Sequence, residues 1–327
     1  MAERELTEPV TLTLPDGSLN PAALGWARRP LVDTSALTKH DRGRNKRWEY
    51  WNVVTPTHVL ALTVSSIDYA AVHEVWVFDR ATEQTWGAAA TVIPPRGVEL
   101  PPSLDAGPAR ARAKGLAIDI DPGTGGVVLH AHTPDAAFTV TVIRPPAHDC
   151  LAVVVPWSRR RFQYTVKDIA LPASGSLTVD GRTFAVPAGE SWAVLDHGRG
   201  RWPYDVAWNW GAASGVCDGV VVGLQVGGRW TAGTGATENG VLVGGTMHKI
   251  SEELRWDYDL ADWRRPWRVT GGGLRATFTP DYDRRAASNL GLVSARTDQC
   301  FGSWEGSFGD LRFEGLYGWA EDVHNRW

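Results

Sequence analysis

The residues best suited to chemistry fall in one stretch, Asp196 to Gly211, which reads D-H-G-R-G-R-W-P-Y-D-V-A-W-N-W-G. It holds three tryptophans, a tyrosine, two aspartates, two arginines, a histidine and an asparagine in sixteen residues. That mixture is costly for a solvated loop. A carboxylate beside glycines and indoles can be desolvated, which raises its pKa and readies it as a general acid. The competing role for Asp196 is a turn-former that accepts backbone N–H bonds. Arg199 can pair with Asp196 or hold an anionic or carbonyl group. Gly198 and Gly200 permit positive φ and close approach, and Pro203 fixes an extended segment. From Tyr204 the pattern alternates, with Tyr204, Val206, Trp208 and Trp210 on one face and Asp205, Ala207 and Asn209 on the other. Period two means a strand. The stretch therefore reads as a glycine loop feeding an aromatic strand, with Asp196 and Arg199 at its mouth. Trp202, Tyr204, Trp208, Asn209 and Trp210 are candidate walls of a small-molecule site. A core stack between two packed halves would use the same tryptophans.

Further candidates lie downstream. Glu238 and Asn239 sit among Gly233, Gly235 and Gly240, and glycines in strands mark bulges or close approach of a ligand. A polar turn would look the same. His248 is a candidate proton shuttle or a hydrogen-bonded structural histidine. A helical turn would bring Glu321 and His324 together. These readings predict one shared cavity for Asp196, Arg199, Trp208, Asn209, Glu238 and His248, with Glu321 at its rim. Buried charges need partners, so the expected pairs are Asp196 with Arg199 and Glu238 with His248. The catalytic candidates are Asp196, Glu238 and His248.

Other chemistries find little support. There is no G-x-S-x-G elbow, and Gly123 to Gly126 lacks the lysine of a phosphate loop. Neither an H-E-x-x-H motif nor Cys/His ligand spacing occurs, so no metal and no cofactor is expected. Cys150, Cys217 and Cys300 are odd in number and widely spaced, which suits reduced thiols better than disulfides. The net charge is −4, and the only basic run is Arg159 to Arg161, so nucleic acid is not an expected partner. No stretch is apolar for long enough to span a bilayer, and the charged start, Met1 to Glu5, lacks the apolar run of a signal peptide. A cytoplasmic monomer or weak homodimer follows as the expectation.

The elements that must position these residues are strands. Of 327 residues, 43% are apolar and 21% charged, as in soluble globular proteins. Helical periodicity is nearly absent; only Pro21–Arg28 and Asp259–Arg264 suggest short helices. Strand patterns recur at His58–Ser65, Val72–Phe78, Val127–His132, Gln163–Ile169, Val220–Val226, Val241–Ile250 and Leu311–Trp319, with a hairpin turned at Asp180-Gly181. Numerous strands joined by Gly, Asp and Pro turns predict antiparallel barrels or sandwiches. The expected architecture is all-β, two barrel-like halves with under about one-fifth helix against a usual third. The expected division is residues 1–180 and 181–327. Of the 17 tryptophans, eleven lie after residue 190, and rigid aromatics beyond core needs often line ligand sites.

The motif D-x-G-R-G-x-W-P-Y-x-x-x-W-N-W over residues 196–210 resembles the central signature of the bacterial DUF2804 family. Glu238-Asn239, Met247-His248-Lys249, Gln299-Cys300-Phe301-Gly302 and the closing Glu321 to Trp327 segment resemble further blocks of that family in the same order. The resemblance adds Gln299 to the candidate ligand-binding residues, beside Asn239 and Glu321. It implies distant similarity to two-barrel, lipocalin-like proteins, the group that includes carotenoid hydratases and natural-product cyclases. Two calycin-like barrels and a pocket for a hydrophobic small molecule would follow. Three functions fit these observations. One is a cofactor-independent acid–base enzyme of hydratase, cyclase, isomerase or lyase type, with tryptophan faces stabilising a developing cation. Another is a lipocalin-like carrier whose carboxylates are satisfied structurally. The third is a carbohydrate-binding or glycoside-processing protein, since paired carboxylates hydrolyse glycosides.

Overall fold

The computed structural model describes residues 2–289 and 294–326. Trp327, the last residue of the closing motif, lies outside them. The chain is 63% strand and 2% helical. Two large curled antiparallel sheets form two lipocalin-like half-barrels. The first sheet runs from Thr85–Val92 through Ala71–Asp79, His58–Ser66, Asn45–Val54, Trp192–Arg201 and Phe162–Val179 to Ala136–Ile143 and the hairpins beyond it. The second places Asp205–Cys217 between Val220–Gly228 and Leu311–Arg326, and continues through Ser294–Phe308 and Leu274–Asn289.

Alternation explains how each sheet serves two cores. Along Asn45–Val54, Trp51 and Val53 point into the first half-barrel, whereas Trp48 and Tyr50 pack in the layer between the sheets. Along Trp192–Arg201, Ala193 and Leu195 fill the half-barrel, and Trp192 and Val194 face the second sheet. The second sheet repeats the pattern: Cys300 and Ala320 point into its own core, and Phe301 and Trp319 into the shared layer. Period-two geometry thus gives each sheet its own core and a layer shared with the other, while Phe162, Tyr164 and Val166 of the first sheet pack in a further cluster with the N-terminal segment. The longest strand of the first sheet, Phe162–Val179, breaks register between Asp168 and Leu171. Ala170 takes φ +56° there, and its N–H donates to Ser214 Oγ of the second sheet at 3.0 Å. This bulge fastens one sheet to the other.

Several local expectations are corrected. Pro21–Arg28 is the 3-10 turn Pro21–Ala23 followed by the strand Gly25–Ala27, and Asp259–Arg264 is a turn. Val241–Ile250 is a hairpin of Asn239–Val243 and Thr246–Ile250, because Gly244 and Gly245 adopt the left-handed conformation that a tight reversal needs. Asp196 to Arg201 is a strand, not a glycine loop. Sheet membership changes between Arg201 and Asp205, downstream of the division expected at residues 180 and 181.

Candidate functional site

The first wall of the site is a rank of side chains across three neighbouring strands. Tyr50, Asp196 and Lys167 stand directly opposite one another, and Trp48, Gly198 and Thr165 form the adjoining row. A Cβ on Gly198 would lie 2.1 Å from Trp48 Cε2. Its absence lets the Trp48 ring lie across the sheet, where Nε1 donates to Asp196 Oδ2 at 3.1 Å. Thr165 Oγ1 donates to Asp196 Oδ1 at 3.0 Å, and Lys167 Nζ stands 3.1 Å from the same oxygen. Gly200 gives the same clearance to Gln163, whose Oε1 accepts from Trp202 Nε1 at 2.6 Å. Neither glycine is in the left-handed region; close approach is what requires them.

The facing wall comes from the second sheet. Glu321 accepts hydrogen bonds from Trp208 Nε1 at 2.9 Å and from Gln299 Nε2 at 3.0 Å. The Trp210 ring lies 3.8 Å beneath Lys167 Nζ, a cation–π contact across the gap between the sheets. Glu238 closes one end. It precedes strand Asn239–Val243 and packs over Gly227, where a Cβ would meet Glu238 Oε1 at 2.3 Å. Trp230 Nε1 donates to Glu238 Oε1 at 2.5 Å. Glu238 Oε2 has no hydrogen-bond partner, and Lys167 Nζ is 3.5 Å from it. Each of the three carboxylates therefore takes one indole N–H, and one ammonium lies between two of them.

These side chains line a cavity of about 370 Å³ between the two sheets. Its opposite end carries Thr63, Ser65 and Thr297, with Glu74 ion-paired to Arg284 from the other sheet. Trp202 anchors the aromatic end: it stacks on Trp230 at 5.5 Å and meets Trp48 and Trp208 edge-on at 5.6 and 5.5 Å.

Burial governs the electrostatics. It pushes the Glu321 carboxyl up to about 7, against the pull of the Trp208 N–H and the Lys167 charge. It raises Glu238 as well, with Lys167 opposing. Burial alone would lower Lys167, but Asp196 and Glu238 outweigh it and hold the ammonium charged. A group that titrates near neutrality thus shares a cavity with an ion pair, the condition for proton transfer at physiological pH.

Asp196, Glu238, Glu321, Trp202, Trp208, Trp210 and Gln299 all line this cavity. The other candidates do not. Arg199 projects from the opposite face of its strand, as period two requires of residues 196 and 199. Its guanidinium is held by the Trp48, Gly198 and Pro101 carbonyls and by Glu49. The expected Asp196–Arg199 pair is therefore absent, and Lys167 replaces it. His248 is exposed on its hairpin, so the expected Glu238–His248 pair does not form either. Asn209 bonds to Tyr258 and the Glu321 carbonyl on the far face of its strand. Asn239 secures the Glu238 segment by accepting from Gly227 N at 2.6 Å and donating to Glu252 O. Tyr204 is exposed outside the strand. Glu321 and His324 lie on opposite faces of Leu311–Arg326, and His324 pairs with Asp205. Sequence reasoning missed Lys167, Trp48, Tyr50 and Trp230. The only signal for Lys167 was a charged residue alternating with Tyr164 and Val166 in a strand.

Among the described residues no helix is long and apolar enough to cross a membrane, and no group of three or more His, Cys, Asp or Glu side chains is placed to hold a metal.

Two curled sheets enclosing an aromatic, carboxylate-bearing cavity define a two-barrel, lipocalin-like protein. The chain belongs to the family described as a domain of unknown function, DUF2804, whose model matches residues 3–327. No curated protein sequence matches it. Its fold is similar to that of kievitone hydratase from Nectria haematococca, with a TM-score of 0.57 at 12% identity, covering 86% of this chain and 89% of that one. CghA solved with Sch210972 gives a TM-score of 0.57 at 10% identity, covering 87% and 89%. A putative AttH from Nitrosomonas europaea gives 0.52 at 12% identity, covering 85% and 92%.

Proposed function

We propose that this protein is a cofactor-independent acid–base enzyme acting on a hydrophobic small molecule in the cavity between its sheets. The observation that carries this reading is the convergence of Asp196, Glu238 and Glu321 with Lys167 in one tryptophan-lined space. Glu321 is the proton donor: its pKa, raised to about 7, leaves about half of the carboxyl groups protonated at neutral pH. Glu238, with an unpartnered oxygen beside the ammonium, is the group to accept a proton or orient a hydroxyl. Tyr50 OH accepts from Asn52 Nδ2 at 3.1 Å, which fixes the phenol at the cavity wall. Isomerisation and acid-initiated cyclisation need such a donor and acceptor, and hydration and dehydration need in addition a water that enters or leaves the cavity. The named activity of kievitone hydratase, on a similar fold, favours the hydratase type among them.

Asp196 favours a second reading, that of a carrier. Both its oxygens are satisfied by Trp48, Thr165 and Lys167, so it serves the architecture without any reaction. Mass spectrometry of small molecules that copurify with wild type and with Thr63→Trp, which fills the cavity, tests the shared premise. An apolar molecule is expected with wild type only. Identical profiles would refute a ligand site here.

A further inference from the structure

We infer that the cavity takes an apolar organic molecule bearing one ammonium group. This rests on the reading above that the cavity binds an apolar small molecule. The charges lining it are unbalanced. Glu74, Asp196, Glu238 and Glu321 face only Lys167 and Arg284 among the described residues, an excess of two carboxylates. Glu74 already holds Arg284, and Asp196 holds Lys167 at 3.1 Å. Glu238 shares that same ammonium at 3.5 Å, and Glu321 has none among the described residues. Glu238 is buried, and its Oε2 makes no hydrogen bond. Glu321 is buried against two neutral donors, Trp208 and Gln299, with no lysine or arginine nitrogen within 4 Å among the described residues. A buried carboxylate without a cation of its own is unfavourable and tends to hold a proton instead; a ligand ammonium would take the proton's place and balance the charge.

The indoles point the same way. Trp48, Trp208 and Trp230 spend their N–H groups on the three carboxylates, Trp202 on Gln163 and Trp210 on Gln225. A ligand entering the cavity meets their rings but none of these donors. Such surfaces attract cations through the ring quadrupole and give nothing to a carbonyl or carboxylate. The protein demonstrates the preference itself, since Lys167 Nζ lies 3.8 Å over the Trp210 ring. An amine finds carboxylate acceptors and π faces together here.

The test uses three probes of one shape: 4-phenylbutylamine, 4-phenylbutan-1-ol and 4-phenylbutanoate. Their affinities for the full-length protein are read by calorimetry. The amine is expected to bind about tenfold or more tighter than the alcohol, the scale of a desolvated cation–π contact, and the carboxylate most weakly. Glu238→Gln and Glu321→Gln keep side-chain shape. Each should cut the amine's affinity about tenfold and the alcohol's by much less, with thermal melts confirming that both variants fold. If the alcohol binds as tightly as the amine, or the carboxylate binds best, the ammonium inference is overturned while the apolar-ligand reading stands. If the variants weaken all three probes equally, packing and not charge decides binding, and the inference is again overturned. If no probe binds, both readings fall.

Discussion

Lys167 and Asp196 face each other directly across two antiparallel strands, with Nζ 3.1 Å from Oδ1. Lys167 also lies 3.5 Å from Glu238 Oε2, so one buried ammonium joins the first sheet to the segment that carries Glu238. Lys167→Met would leave both buried carboxylates without a cation. A loss of about 3–5 kcal/mol in urea unfolding at pH 7 is expected, with part recovered in the double variant carrying Asp196→Asn. A loss within the error of wild type would show that the pair is not coupled to the fold.

Glu321 gives the stability a pH dependence of defined sign. Its carboxyl is raised from the ordinary 4.5 to about 7 by burial, so the folded state holds the proton longer than the unfolded chain. Below pH 4.5 both states are protonated and the group contributes no slope. Between 4.5 and 7 the unfolded chain ionises first, and stability falls as pH rises. The whole fall is on the order of 3 kcal/mol. Urea melts of wild type and Glu321→Gln at pH 5, 6, 7 and 8 isolate the contribution. The variant should gain on wild type with rising pH, and a constant difference would remove the titration from Glu321.

Gly198→Ala tests the close approach of Trp48. The added Cβ would fall 2.1 Å from the indole, so the ring must move and release Asp196. A destabilisation of about 1–3 kcal/mol is expected, together with a changed tryptophan emission spectrum. An unchanged spectrum and melting temperature would mean that the ring does not depend on the missing side chain.

His248 should be silent. It is exposed and does not line the cavity, so His248→Ala should shift stability by less than about 0.5 kcal/mol. Ligand binding and any turnover should be unaffected, and a large loss of either would return His248 to the site.

The all-β architecture was legible because alternation and turn residues are local signals. Asp196, Glu238 and Glu321 were legible because each sits in a block with glycine or tryptophan. Their partners were not. Lys167 alternates with Tyr164 and Val166 as a half-exposed strand would, and only strand register places it opposite Asp196. Arg199 was misplaced because residues 196–201 read as a loop. As a strand, period two sends positions 196 and 199 to opposite faces. The paired sheets also put the cavity between two half-barrels, where Trp48 and Tyr50, far away in sequence, join the motif residues.

An acid–base role for the cavity carboxylates is tested most directly by turnover. Wild type, Glu238→Gln and Glu321→Gln would each be incubated with a small-molecule extract of the source cells, and the mixtures profiled by untargeted mass spectrometry. Wild type should consume an apolar species and produce one of equal mass or differing by one water. Each variant, folded by its melt, should slow that conversion by about a hundredfold or more, the usual contribution of a general acid or base. No conversion by wild type, or conversion that persists undiminished in both variants, would contradict an acid–base role for this cavity.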